Sequence, residues 1–299
     1  MKWEGQRESD NVEDVRDDSG GGGGGGGSPI GMRHVSLGGI VIALIASWVL
    51  GVNPLTMLGL MQGGGAPVQQ QQQQAPVHRQ AQSGPEDPGV KFVRVVLADT
   101  EDVWGAYFSQ RGQQYQPPHL RVFRDRYPTG CGTGEAAMGP FYCPADRIVY
   151  LDLGFFDTLR TQLGAPGTFA QAYVVAHEVG HHIQNLMGTS AKMDQARQRV
   201  SQTQYNALSV RLELQADCYA GVWAKHSQES KGWLDQSDIE SALNAAGQIG
   251  DDTLQRRARG TVVPESFTHG TSAQRVRWFK QGMQGGELKD CDTFGAASL

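Results

Sequence analysis

The sequence predicts an α+β domain, mainly helical with a small sheet, preceded by a single transmembrane helix. Three observations carry that prediction. Residues 35–61 contain no charged residue and open with VSLGGIVIALIASWVLGV, an apolar run of about the length that crosses a hydrocarbon layer. Within 90–110 and 167–187 apolar residues recur at three- and four-residue spacings, the period of a helix with one buried face. Between them RIVYLDL, residues 147–153, alternates from one face to the other as a strand does.

In chain order, residues 1–34 open with mixed charge and pass into the glycine run Gly20 to Gly27, a composition that reads as a disordered cytoplasmic tail. Residues 35–61 form the expected membrane anchor. More than thirty residues precede it, so an uncleaved anchor fits better than a signal peptide. Arg33 stands just before the span and nothing positive follows until Arg79, which predicts a cytoplasmic N-terminus and an extracytoplasmic domain at a bacterial inner membrane. Residues 62–89, with six consecutive Gln among Gly and Pro, read as a flexible linker. Residues 90–299 form the domain. Its helices are expected at 90–110, at 167–187 ending at Gly188, at 191–226, from Ser237 where S-D-I-E resembles a capping box, and after Thr271 or Ser272.

The formal charge of -5 over 299 residues provides no basic footprint for phosphates, so nucleic acid is not an expected partner. The four cysteines, Cys131, Cys143, Cys218 and Cys291, form no C-x-x-C pair, which argues against a cysteine zinc site. Outside the cytoplasm two disulfides are expected. Three pairings exist, and the local pair Cys131 with Cys143 leaves Cys218 with Cys291; buried, reduced cysteines are the alternative.

Residues 176–184 read AHEVGHHIQ, an H-E-x-x-H pattern in a helical context. Residues four apart share a helix face, so His177 and His181 can turn their imidazoles to one metal ion. Glu178 lies one residue round the helix, placed as general base for a water at the metal. A catalytic zinc takes three protein ligands, and RLELQADCYAG, residues 211–221, supplies an E-x-x-x-D pair among apolar neighbours. Glu213 is the expected third ligand, and Asp217 the acceptor for the second ring N–H of a ligand histidine. The longer pattern H-E-x-x-H-x-x-G-x-x-H is excluded by Gln184 and Met187. In FTHGTSAQRVRWF, residues 267–279, His269 and Arg275 are candidate donors to an oxyanion. His182 faces elsewhere on the helix and is expected at the surface or behind the ligands.

These three segments, with WEGQRESDNVEDVR near the start and CPADRIVYLDLGFF before the motif helix, resemble the bacterial neutral zinc metallopeptidases of the YpfJ-like family. A more distant similarity is to HtpX-type membrane zinc peptidases, where a late His with an Arg six residues on plays the oxyanion-binding part expected of His269 and Arg275. Gly270 stands where that group commonly has Pro. The resemblance implies a zincin-like domain and a reaction class without naming a substrate.

The sequence therefore reads as a membrane-anchored zinc peptidase with one Zn²⁺ held by His177, His181 and Glu213, acting on a protein or peptide substrate through water activated by Glu178. Strand 147–153 is the expected sheet edge for an extended substrate. Two rivals share the sequence features: a non-catalytic envelope-binding protein of the same shape, and an amidase acting on cell-wall links.

Overall fold

The computed structural model describes residues 1–17, 87–136 and 139–299. The expected tail from 18 to 34, the anchor 35–61 and most of the linker lie outside them. Among the described residues no helix is long and apolar enough to cross a membrane. The fold class is corrected accordingly: the described residues form a mainly helical domain with a small sheet and include no transmembrane helix, so a bilayer partner through such a helix is not supported.

Helix α1, Pro88–Ser109, starts where Asp87 accepts the Gly89 N–H and Pro88 takes the first helical position. Among the described residues six short strands precede or follow it. Val12–Asp14 (β1), His119–Val122 (β2), Phe141–Cys143 (β5) and Ile148–Leu151 (β6) build one sheet in the order β1-β2-β6-β5. The first two pairings are parallel, and β5 runs antiparallel to β6. Arg126–Thr129 (β3) and Gly132–Glu135 (β4) form a separate hairpin. The expected strand 147–153 is thus β6, but it lies inside the sheet with all four residues buried, and β1 and β5 are the edges.

Strand β1 corrects the disordered-tail expectation for residues 1–17, the part of 1–34 that is described. Val12 is buried against β2, Trp3 packs edge-on to Phe92, and Glu101 of α1 accepts hydrogen bonds from Ser9, Asn11 and Arg7. Arg16 closes the segment on Asp14 and Asp87, at 2.6 Å each. Residues on both sides of the expected span therefore share one sheet, which is incompatible with their separation by a bilayer.

The remaining helices are α2 (Gly154–Thr161), α3 (Thr168–Leu186), α4 (Thr189–Arg197), α5 (Gln202–Lys231), α6 (Gln236–Gln248), α7 (Asp251–Arg259) and α8 (Ser272–Gly285). Helix α3 stops as expected where Gly188 turns left-handed, at φ 77°. The helix expected over 191–226 is two, because Ser201 caps a new helix reciprocally with Gln204. Helix α6 is capped by Asp235 with Asp238, two residues earlier than S-D-I-E suggests, and Thr271 with Gln274 caps α8. One apolar cluster joins Phe92, Trp104, Leu120, Leu151, Phe169, Trp223 and Phe279, so sheet and helices share a core.

Helices α5 and α8 cross with Gly221 and Gly282 at the contact. A Cβ on either would collide with the other helix's backbone, at Phe279 O and Cys218 O respectively. The disulfide Cys218–Cys291 ties α5 to the turn after α8, and Cys131–Cys143 ties the hairpin to β5, with Cα separations of 5.6 and 5.8 Å. Both pairs are those expected.

Candidate metal centre

Helices α3 and α5 approach closely at one glycine. A Cβ on Gly180 would lie 2.9 Å from the Ala216 carbonyl oxygen and 3.1 Å from its Cα, so only glycine allows this spacing. That contact sits between His177 and His181 on one helix and Glu213 and Asp217 on the other. Three donor atoms, one each from His177, His181 and Glu213, consequently lie within 4.8 Å of one another. His177 Nε2 is 3.2 Å from Glu213 Oε2, and His181 Nε2 is 3.5 Å from Oε1. Tetrahedral zinc with bonds of about 2.0–2.1 Å separates its ligands by about 3.3–3.4 Å, so this donor set and spacing fit the ion.

The opposite ring nitrogens are held in turn. His177 Nδ1 donates to Asp217 Oδ1 at 2.8 Å, and His181 Nδ1 donates to Gln184 Oε1 at 2.8 Å. Both bonds leave Nε2 as the lone-pair nitrogen facing the centre. Asp217 is fully buried, bridges to the Tyr173 hydroxyl at 2.5 Å, and receives a forked pair of bonds from Arg275 Nε and Nη2, each 2.9 Å. Burial alone would raise the Asp217 carboxyl, but Arg275 and His177 outweigh it and bring it down to about 2.

The structure therefore corrects one expectation. Arg275 is only 3 % exposed and its fork is engaged by Asp217 and Tyr173, so it buttresses Asp217 rather than facing a substrate oxyanion. For His269 burial acts against charge, and the Glu213 carboxylate, with Asp251, outweighs burial and raises its pKa. Its Nδ1 meets Asp251 Oδ1 at 3.3 Å, while Asp251 Oδ2 accepts the backbone N–H groups of Thr268, His269 and Gly270 at 2.7–3.0 Å. Asp251, the first residue of α7, thus fixes the loop and the ring together.

Glu178 is buried, and burial raises its pKa above the ordinary carboxylate range, with His181 and His177 opposing. The Tyr142 hydroxyl is held by His182 Nδ1 at 3.0 Å and by Asn185 at 2.9 Å. His182 also reaches the Gln116 carbonyl at 2.7 Å; it is a buried strut between helix and sheet, and burial lowers its pKa to about 4.

Sequence reasoning missed Gln184, Asp251, Tyr173 and Tyr142. Gln184 was visible at i+3 from His181, a spacing that places side chains together on a helix. No sequence pattern joined Asp251 to His269.

The model of the family described as "Putative neutral zinc metallopeptidase" matches residues 1–294. Uncharacterized protein YpfJ of Escherichia coli K12 is 52% identical over 295 residues, covering 99% of each chain. Uncharacterized protein Rv2575 of Mycobacterium tuberculosis H37Rv is 44% identical over 219 residues, 70% of this chain and 73% of that one. No solved structure matches.

Proposed function

The chain belongs to the neutral zinc metallopeptidase family, and from that premise we propose that it is a peptidase holding one zinc ion on His177, His181 and Glu213. The observation that carries the reading is the convergence of two Nε2 lone pairs and one carboxylate beside a buried, unligated Glu178. A zinc ion bound there supplies a Lewis acid that polarises the scissile carbonyl and acidifies water.

The chain's own residues do the rest. Glu178 takes the proton of the attacking water and passes it to the leaving amine; burial raises its pKa, which strengthens it as a base. His269, aligned by Asp251, donates through Nε2 to the oxygen on which negative charge develops. An extended peptide is aligned along the β5 edge, where the Tyr142 hydroxyl is held by His182 and Asn185 of α3. The two disulfides support work in an oxidising, extracytoplasmic compartment.

The test is cleavage of an unfolded protein substrate by wild type and by Glu178→Gln, with zinc measured in both. Retained zinc and lost cleavage are expected. Equal cleavage by both would refute the role of Glu178, and zinc with no cleavage of any peptide bond by wild type would favour the non-catalytic or amidase readings.

A further inference from the structure

His181 owes its orientation to more than its immediate neighbour. Gln184 and Gln215 are both buried, at 1 % and 8 % exposure. The Gln184 amide nitrogen donates to the Leu212 carbonyl at 2.7 Å and to Gln215 Oε1 at 3.2 Å, and the Gln215 amide nitrogen donates to the Cys291 carbonyl at 3.0 Å. Backbone carbonyls only accept, so each end acceptor dictates which amide atom faces it. With nitrogen turned to Cys291, Gln215 presents oxygen to Gln184. With nitrogen turned to Gln215 and Leu212, Gln184 presents oxygen to His181. That oxygen admits only a protonated Nδ1, which leaves Nε2 as the lone-pair nitrogen. A flip of either amide would set acceptor against acceptor inside the core.

We propose that Gln184 and Gln215 are positioning residues for His181, a directional amide relay that runs from the Cys291 carbonyl and fixes the tautomer and angle of one metal ligand. The relay is anchored at its far end. Cys291 is fully buried and bonded to Cys218 of α5, and the chain beyond it is clamped to the same helix by Thr293 Oγ1 on the Arg211 carbonyl at 2.6 Å and by Arg211 Nη1 on Ala296 O at 3.1 Å. The C-terminal segment thereby supports the metal centre without touching it. The inference rests on the zinc reading of His177, His181 and Glu213.

The test is zinc affinity, measured by chelator competition on the full chain, for wild type, Gln184→Met, Gln215→Met and the double variant. Met keeps the volume and removes the amide's three bonds at Gln184 or its two at Gln215. Gln184→Met is expected to weaken zinc about 10–100-fold, the usual loss when a ligand histidine's outer partner is removed. Gln215→Met is expected to weaken it about threefold to tenfold, the size of one net hydrogen bond. The double variant should match Gln184→Met within about twofold, because Gln215 acts only through Gln184. Unchanged affinity in Gln215→Met, or a double variant equal to the product of the singles, overturns the relay.

If a variant does not fold, the imidazole nitrogen shifts of zinc-loaded wild type decide instead. Nδ1 protonated on His181 supports the relay, and ligation through Nδ1 overturns it. Wild type that takes up no zinc would overturn the parent reading, a different result from either of these.

Discussion

Gly180→Ala tests whether the spacing of α3 and α5 defines the centre. The added Cβ would stand 2.9 Å from the Ala216 carbonyl oxygen, and ordinary contact begins at 3.4 Å, so the helices must part by about 0.5 Å. Backbone cannot rotate away as a side chain can. Overpacking of this kind costs about 1–3 kcal/mol, while alanine in a helix interior gains about 1 kcal/mol over glycine. The clash offsets that gain, leaving a net loss of up to about 2 kcal/mol, or a fall in Tm of up to about 8 °C for a body of this size. Metal sites tolerate shifts of only about 0.2 Å, so zinc affinity should fall about tenfold or more. Gly105→Ala in α1 is the control, because a Cβ there meets nothing within 4 Å and only the helical gain remains. Its Tm should rise by about 2–4 °C. A Gly180→Ala chain as stable as Gly105→Ala, with undiminished zinc affinity, would show that the helix spacing does not set the site.

Asp217→Asn should lower stability by about 3–5 kcal/mol in urea unfolding, because it strands the buried Arg275 charge, and should weaken zinc as well. An unfolding free energy within about 1 kcal/mol of wild type would count against that pairing. His269→Ala should cut kcat on the order of 10²–10³-fold with KM and zinc content little altered, whereas a loss of zinc would make it a ligand and not a donor. Asp87 is held below the ordinary carboxylate range chiefly by Arg16, and in Asp14 the upward push of burial is outweighed by the same Arg16. A lowered folded pKa contributes stability above the unfolded value of 3.8 that is lost as pH falls through the folded values. Amide-exchange protection of β1 should therefore fall as pH drops below about 4, and less steeply in Arg16→Gln; identical slopes would sink the idea.

The two halves of the centre were legible because each lies within one helix. The helical period alone places His177 and His181 on one face and Glu213 and Asp217 on another, and E-x-x-x-D among apolar neighbours marks a buried acid pair. What joins the halves is tertiary. Gly180 reads in sequence as one more small residue on a buried face, and only the α3–α5 contact shows why a larger one fails. Asp251 precedes His269 by 18 residues and looks like an ordinary acid at a helix start. Arg275 and Arg277 are equivalent as letters in RVRWF, yet one is buried on Asp217 and the other is not. The strands were the least legible elements. VED at residues 12–14 offers one apolar residue, and its strand character comes from pairing with β2. Disulfide pairing was read correctly because the 12-residue separation of Cys131 and Cys143 favours local closure and leaves one remaining pair.

X-ray absorption at the zinc edge of the zinc-loaded full chain is the sharpest test of the three-ligand centre. The expected result is one zinc per chain with two imidazole nitrogens and one carboxylate oxygen at about 2.0–2.2 Å, a fourth light atom from solvent, and no sulfur. In Glu213→Ala the carboxylate scatterer should disappear and most of the zinc with it. Unchanged coordination in that variant, a sulfur ligand, or no zinc uptake by wild type would contradict a centre built on His177, His181 and Glu213.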